Sequence, residues 1–152
     1  MSKQQNSKVS HGRDPLWDTV HDEVAALAQQ EPVLSSFFYD SVLSHQSLEG
    51  ALAYNLAVQI DNSVLSALTI REVFVEAMAA EPAIGESMRK DLSAYVERDP
   101  ACDQYCLPLL HFKGFHALQI YRVANWLWRN NRQSLALYLQ NRVSEIFAVD
   151  IH

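Results

Sequence analysis

Arg98-Asp99-Pro100-Ala101 is the string whose residue types could do chemistry with the least help from elsewhere. A residue before proline is held extended, so the backbone under Asp99 is restricted. Arg98 and the turn that follows could orient its carboxylate. A carboxylate fixed in this way can accept a charge-assisted hydrogen bond from an ammonium group. The same four residues also read as a plain helix-ending turn, and on chemistry alone that reading is the stronger. Cys102, Cys106 and His111 follow at the spacing C-x3-C-x4-H. A structural zinc site takes four ligands, usually from close cysteine pairs. Asp103 or His116 would have to be conscripted as the fourth. Two reduced, partly buried thiols are the simpler reading, and no metal is expected. His116, in Lys113-Gly114-Phe115-His116-Ala117, reads as a core histidine at the start of a buried helix. Arg122, Arg129 and Arg132 interleave with Trp126 and Trp128, as they would on a nucleic-acid or lipid surface. The surrounding residues are apolar on most sides, which makes the tryptophans core instead. No G-x-S-x-G elbow, P-loop or dinucleotide fingerprint occurs.

The elements that must carry these residues are helical nearly everywhere. Leu16, Val20, Val24 and Leu27 recur at spacings of four and three, the mark of an amphipathic helix. Leu34, Phe37, Phe38, Ser41 and Val42 predict a second. Leu48, Leu52, Leu56 and Ile60 predict a third, with Ser47 as its N-cap. Leu68, Val73, Phe74 and Ala77 predict a fourth; Ile84, Met88, Leu92, Tyr95 and Val96 predict a fifth. Asp14-Pro15, Glu31-Pro32 and Glu81-Pro82 read as helix starts, because proline fits the first turn and an acid there faces the helix dipole. Asp99-Pro100 follows a long helix and opens a loop. Beyond it come a helix from Gly114 to about Asn130, apolar on most sides and therefore central, and another from about Gln133 to Ala148.

Composition narrows the function classes. Of 152 residues, 49% are hydrophobic, enough for a real core. Only 4 are glycine, which argues against a turn-rich β-sandwich or a phosphate-cradling loop. A net charge of -6 disfavours nucleic-acid binding. Acids dominate residues 14–103 and bases prevail after residue 104, so the two parts could pack against each other. No apolar run approaches a membrane span and no signal peptide is visible. Two cysteines do not make a disulfide framework, and a cytoplasmic setting without membrane contact is expected.

Several strings also read together, in order: Glu97-Arg98-Asp99-Pro100-Ala101, Pro108-Leu109-Leu110, Lys113-Gly114-Phe115-His116-Ala117-Leu118-Gln119, Tyr121-Arg122, Trp126-Leu127-Trp128 and Val149-Asp150-Ile151-His152. Ile70-Arg71-Glu72-Val73 fits upstream. Over about residues 15–152 the chain resembles the N-terminal helical domain of bacterial serine acetyltransferase. The resemblance implies an all-α, multi-helix bundle-like domain at 14–148. A disordered polar tail at 1–13 would precede it. Residues 149–152 would begin a left-handed parallel β-helix absent from this chain. It implies transfer of an acetyl group from acetyl-CoA, a co-substrate and not a bound cofactor, to the hydroxyl of L-serine, on the route to cysteine. It implies homo-oligomers that pair through the helical domains. It also implies docking of O-acetylserine sulfhydrylase through a C-terminal tail not present here. Asp99 matches the family aspartate that contacts serine. Asp150 matches the aspartate that orients the catalytic histidine, by the logic of a carboxylate fixing an imidazole. That histidine lies in the β-helix, and His152 does not match it. The expectation is therefore an assembly and serine-contacting domain, inactive alone. The alternative is a stand-alone helical interaction module that kept the domain and lost the catalysis.

Overall fold

Several helices begin where the chain supplies an oxygen to cap them or a proline to open them. The computed structural model of the chain describes residues 14–148. Asp14 caps α1 (Pro15–Gln30) by accepting the Trp17 N–H at 3.2 Å. Ser47 caps α3 (Leu48–Ile60) through the Gly50 N–H at 3.1 Å, as its position predicts. Ser66 caps α4 (Ala67–Ala80) through the Thr69 N–H. Pro82 opens α5 (Pro82–Arg98). Two further long helices, α7 (Lys113–Arg129) and α8 (Gln133–Phe147), meet at Asn131, which adopts a left-handed conformation with φ 60°. The Arg132 N–H then reaches back to the Leu127 carbonyl at 2.9 Å, closing the end of α7. Among the described residues the regular structure is helical throughout, as the apolar periods require. None of these helices is long and apolar enough to cross a membrane. The expected tail at 1–13 and the expected strand start at 149–152 lie outside the described residues.

Several expectations are corrected. The predicted second helix is one winding of changing pitch: a 3-10 turn at Pro32–Leu34, α2 (Ser35–Phe38) and a π-turn at Tyr39–Leu43. Only Phe38, Ser41 and Val42 of its predicted stripe are buried. Buried Asn55 of α3 explains the irregularity. Its amide donates to the Ser41 carbonyl at 2.7 Å, satisfying backbone that a regular helix would have satisfied itself. On α4 the inward face is Ile70, Phe74, Ala77 and Met78, whereas Leu68 is exposed. Central position is shared. α3 buries Ala51, Leu52, Ala53, Leu56, Ala57 and Ile60, while α7 exposes Leu118 and Trp128. Trp126 is core and Trp128 is surface. A short helix, α6 (Cys106–His111), also interrupts what reads as loop.

The charge asymmetry along the chain becomes a seam. Arg122 of α7 pairs with Asp91 of α5, Arg129 of α7 pairs with Glu81 just before α5, and Arg132 pairs with Glu76 of α4. A denser knot ties three helix starts and flanks. Arg89 of α5 donates to Glu49 of α3 through Nε at 2.7 Å and Nη2 at 3.0 Å, and to both oxygens of Asp14. These hydrogen bonds from Arg89 hold the Asp14 carboxyl below its ordinary range. Asp14 therefore serves as helix cap and cross-helix anchor at once.

Candidate functional site

α5 stops at Asp99 because Pro100 cannot continue it. The Asp99 backbone is extended, with φ −107° and ψ 108°. Its N–H still closes the helix on the Tyr95 carbonyl at 3.0 Å, and its own carbonyl accepts the Cys102 N–H at 3.0 Å. Its side chain turns back on the loop, where Oδ1 accepts the Ala101 N–H at 2.9 Å. An aspartate two residues before a bonded amide is a self-locking turn. The carboxylate is exposed, oriented by its own loop, and has a second oxygen to offer.

Asp99 stands at the edge of a shallow, open depression of about 310 Å³ lined by Asp91, Ala94, Tyr95, Arg98 and Leu118 as well as Asp99. α5 and α7 make its walls. Asp91 Oδ2 accepts from Gln119 Nε2 at 2.9 Å and from Arg122 at 2.7 and 3.1 Å, which fixes the two helices together below the rim. Tyr95 forms the apolar side. Its ring meets Phe112 at 5.4 Å and Phe115 at 6.0 Å, both edge-on. With Asp91 paired to Arg122, the rim carries Asp99 and Arg98 as adjacent opposite charges. Such a rim suits a small molecule bearing both.

Under the loop, the cysteines are inert. Cys102 and Cys106 are both buried free thiols. Burial raises both, with the neighbouring Glu23 charge adding to the effect, and Cys106 is pushed up to about 12. Neither is a thiolate at neutral pH, so neither is a nucleophile or ready ligand. His111 lies exposed and stacks on Phe37 at 6.1 Å. Among the described residues no group of three His, Cys, Asp or Glu could hold a metal. Asp150 lies outside the described residues.

His116 is the core histidine its position suggests. Its Nε2–H donates to the Leu109 carbonyl at 2.7 Å, and its Nδ1 finds no partner among the described residues. Burial holds its pKa below the ordinary value near 6.5. The folded state therefore keeps it neutral, while the unfolded chain takes up a proton as pH falls below about 6.5. The expected result is that stability against urea falls between pH 7.5 and 5.5. In His116→Gln that segment of the profile should flatten. An unchanged slope in the variant would exclude His116 as its source.

Sequence reasoning missed Glu23 and Asp91. Glu23 sits beside Val24 at the edge of the α1 stripe, and nothing local marks it. Its carboxylate accepts the Tyr105 N–H and the Cys106 N–H, each at 3.1 Å, at the start of α6. Burial raises the Glu23 pKa, and those two amides partly offset it.

Comparison with known proteins adds a second kind of observation. The protein-family profile described as "Serine acetyltransferase, N-terminal" matches residues 16–120. The chain is 46% identical over 137 residues to the serine acetyltransferase of Haemophilus influenzae, covering 90% of this chain and 51% of that protein. A solved serine acetyltransferase in complex with CoA superposes with TM-score 0.89 at 46% identity, over 91% of this chain and 59% of that one. The serine acetyltransferase of Neisseria gonorrhoeae in complex with serine gives TM-score 0.88 at 44% identity, over 93% and 58%. The chain spans about 39 to 51% of the curated relatives it matches.

Proposed function

The chain belongs to the family of serine acetyltransferase N-terminal domains, and from that premise we propose that it is the serine-contacting, assembly-forming half of a serine O-acetyltransferase. The observation that carries the reading is the exposed Asp99 carboxylate, locked by its own turn beside a shallow open depression. Asp99 would pair with the ammonium group of L-serine and hold the substrate for the reacting half of the enzyme. Asp150 would orient a histidine of a β-helix domain, which removes the proton from the serine hydroxyl. That oxygen attacks the thioester carbonyl of acetyl-CoA. The C–S bond breaks, the acetyl group moves to oxygen and CoA leaves as its thiol. Positions 14–148 would form the helical unit and 149–152 the passage to the β-helix. Self-association through the helical unit belongs to the same reading and rests on the family resemblance. No residue described here reaches the docking of O-acetylserine sulfhydrylase, which the family resemblance assigns to a C-terminal tail.

The test is CoA release from acetyl-CoA. The 152-residue chain alone is expected to show none above background with L-serine. A longer protein joining this domain to a hexapeptide-repeat β-helix is expected to release CoA in a serine-dependent way. Serine-dependent release by the short chain, or none by the longer one, would overturn the reading.

A further inference from the structure

We propose that Glu23 of α1 is a positioning residue for Asp99, and that it tunes the affinity for L-serine from the far end of the loop. The inference rests on the assignment of Asp99 made above. The loop from Asp99 to Tyr105 is fixed at its first end by α5 and by the turn on Asp99 Oδ1. Its middle is held by Cys102, buried, with its Sγ 3.5 Å from the Gln104 carbonyl. Its last end runs into α6, whose own N-cap residue, Tyr105, supplies no side-chain cap. The first amides of a helix need an acceptor. Glu23 provides it from another helix, one oxygen to each of two successive N–H groups, 82 and 83 residues away in sequence.

A carboxylate suits this place better than its amide. Both contacts are charge-assisted, and both face donors. Glutamine would keep the volume but present an NH₂ to one of the two N–H groups, which repels. The α6 end of the loop would then keep at most one of its two ties to α1, while the Asp99 end and Cys102 stay as they are. Asp99 would sample more directions, and serine would be held less well, while the apolar packing of α1 stays as it is.

The experiment pairs Glu23→Gln with Asp99→Asn in the longer acetyltransferase that carries this domain, alone and combined. Glu23→Gln is expected to raise KM for serine by roughly three- to tenfold and to leave KM for acetyl-CoA unchanged. In the Asp99→Asn background it should raise KM for serine no further, because it acts through that carboxylate. Amide exchange in the 152-residue chain gives an independent readout. In Glu23→Gln the Tyr105 and Cys106 amides should exchange roughly tenfold faster, and those in the middle of α7 at an unchanged rate. Glu23→Asp, one methylene short, should show the same pattern and serves if the glutamine variant does not fold. An equal rise in both KM values, full additivity with Asp99→Asn, or unchanged exchange and KM would overturn the proposal. If Asp99→Asn leaves KM for serine unchanged, the assignment of Asp99 falls and takes this claim with it. If Asp99→Asn raises it and Glu23→Gln does not, only the role of Glu23 falls.

Discussion

Asp99→Asn is expected to raise KM for serine by about 10- to 100-fold in the acetyltransferase that carries this domain, with kcat much less affected. The asparagine keeps an Oδ1 that can accept the Ala101 N–H, so the turn seen at 2.9 Å survives. What disappears is the charge on the oxygen left for an ammonium group. A hydrogen bond to a charged partner contributes roughly 1.5–3 kcal/mol, and every 1.4 kcal/mol is a factor of ten. A loss that falls on KM is the signature of an interaction made equally in ground and transition states. Asp99 is exposed and spans no helices, so unfolding should shift by less than about 0.5 kcal/mol. KM for acetyl-CoA should not move. Serine kinetics identical to those of the parent protein would remove Asp99 from the site.

Phe115→Ala should have the largest effect on stability. Phe115 is fully buried at the first turn of α7, edge-on to Tyr95 and beside His116. Truncating a buried phenylalanine removes its transfer energy and leaves a cavity, together about 3–5 kcal/mol. For a chain of this size each kcal/mol lowers Tm by roughly 2–4 °C, so a fall of about 6–20 °C is expected. Thermal and urea unfolding of the 152-residue chain measure it directly. Phe115→Leu, which fills more of the space, should cost clearly less. A loss below about 1 kcal/mol for Phe115→Ala would mean that the surrounding helices close over the gap. The effect also bears on the depression, because Tyr95 rests on Phe115 and shares the rim with Asp99.

How much of this was legible in the sequence follows from the range of each interaction. Val20 and Val24, Leu52 and Leu56, and Leu139 and Val143 all lie inside, since helical periodicity is a local property. Caps at Asp14, Ser47 and the proline starts are equally local. At Asp99 the helix-ending turn was legible because proline constrains the residue before it, whereas its role toward serine came only from the family resemblance. The failures have a common cause in partners distant along the chain. Asn55 reaches across to Ser41 and permits the π-turn, which no stripe in residues 34–42 announces. Leu68 sits beside inward Ile70 but is exposed, because α4 turns Ile70, Phe74 and Ala77 toward its neighbours. Trp128 lies two residues from buried Trp126, and a stretch rich in apolar residues hides which side faces water. Glu23 gains its role from residues 82 and 83 positions away, and Asp91 from residues 28 and 31 positions away.

The polar ties of α1 also bear on the order of events in time. α3 and α4, and α7 and α8, are neighbours in sequence with short connections, so each pair can form before much chain entropy is lost. The ties from Asp14 to Arg89 and from Glu23 to Cys106 close spans of 75 and 83 residues. Closing such long spans costs more chain entropy than pairing sequence neighbours, so these ties are expected to form after the two hairpins. Interactions made after the rate-limiting step leave the refolding rate alone and slow escape from the native state. On that order the Asp14 and Glu23 carboxylates would act as closing straps, and removing either should speed unfolding more than it slows refolding.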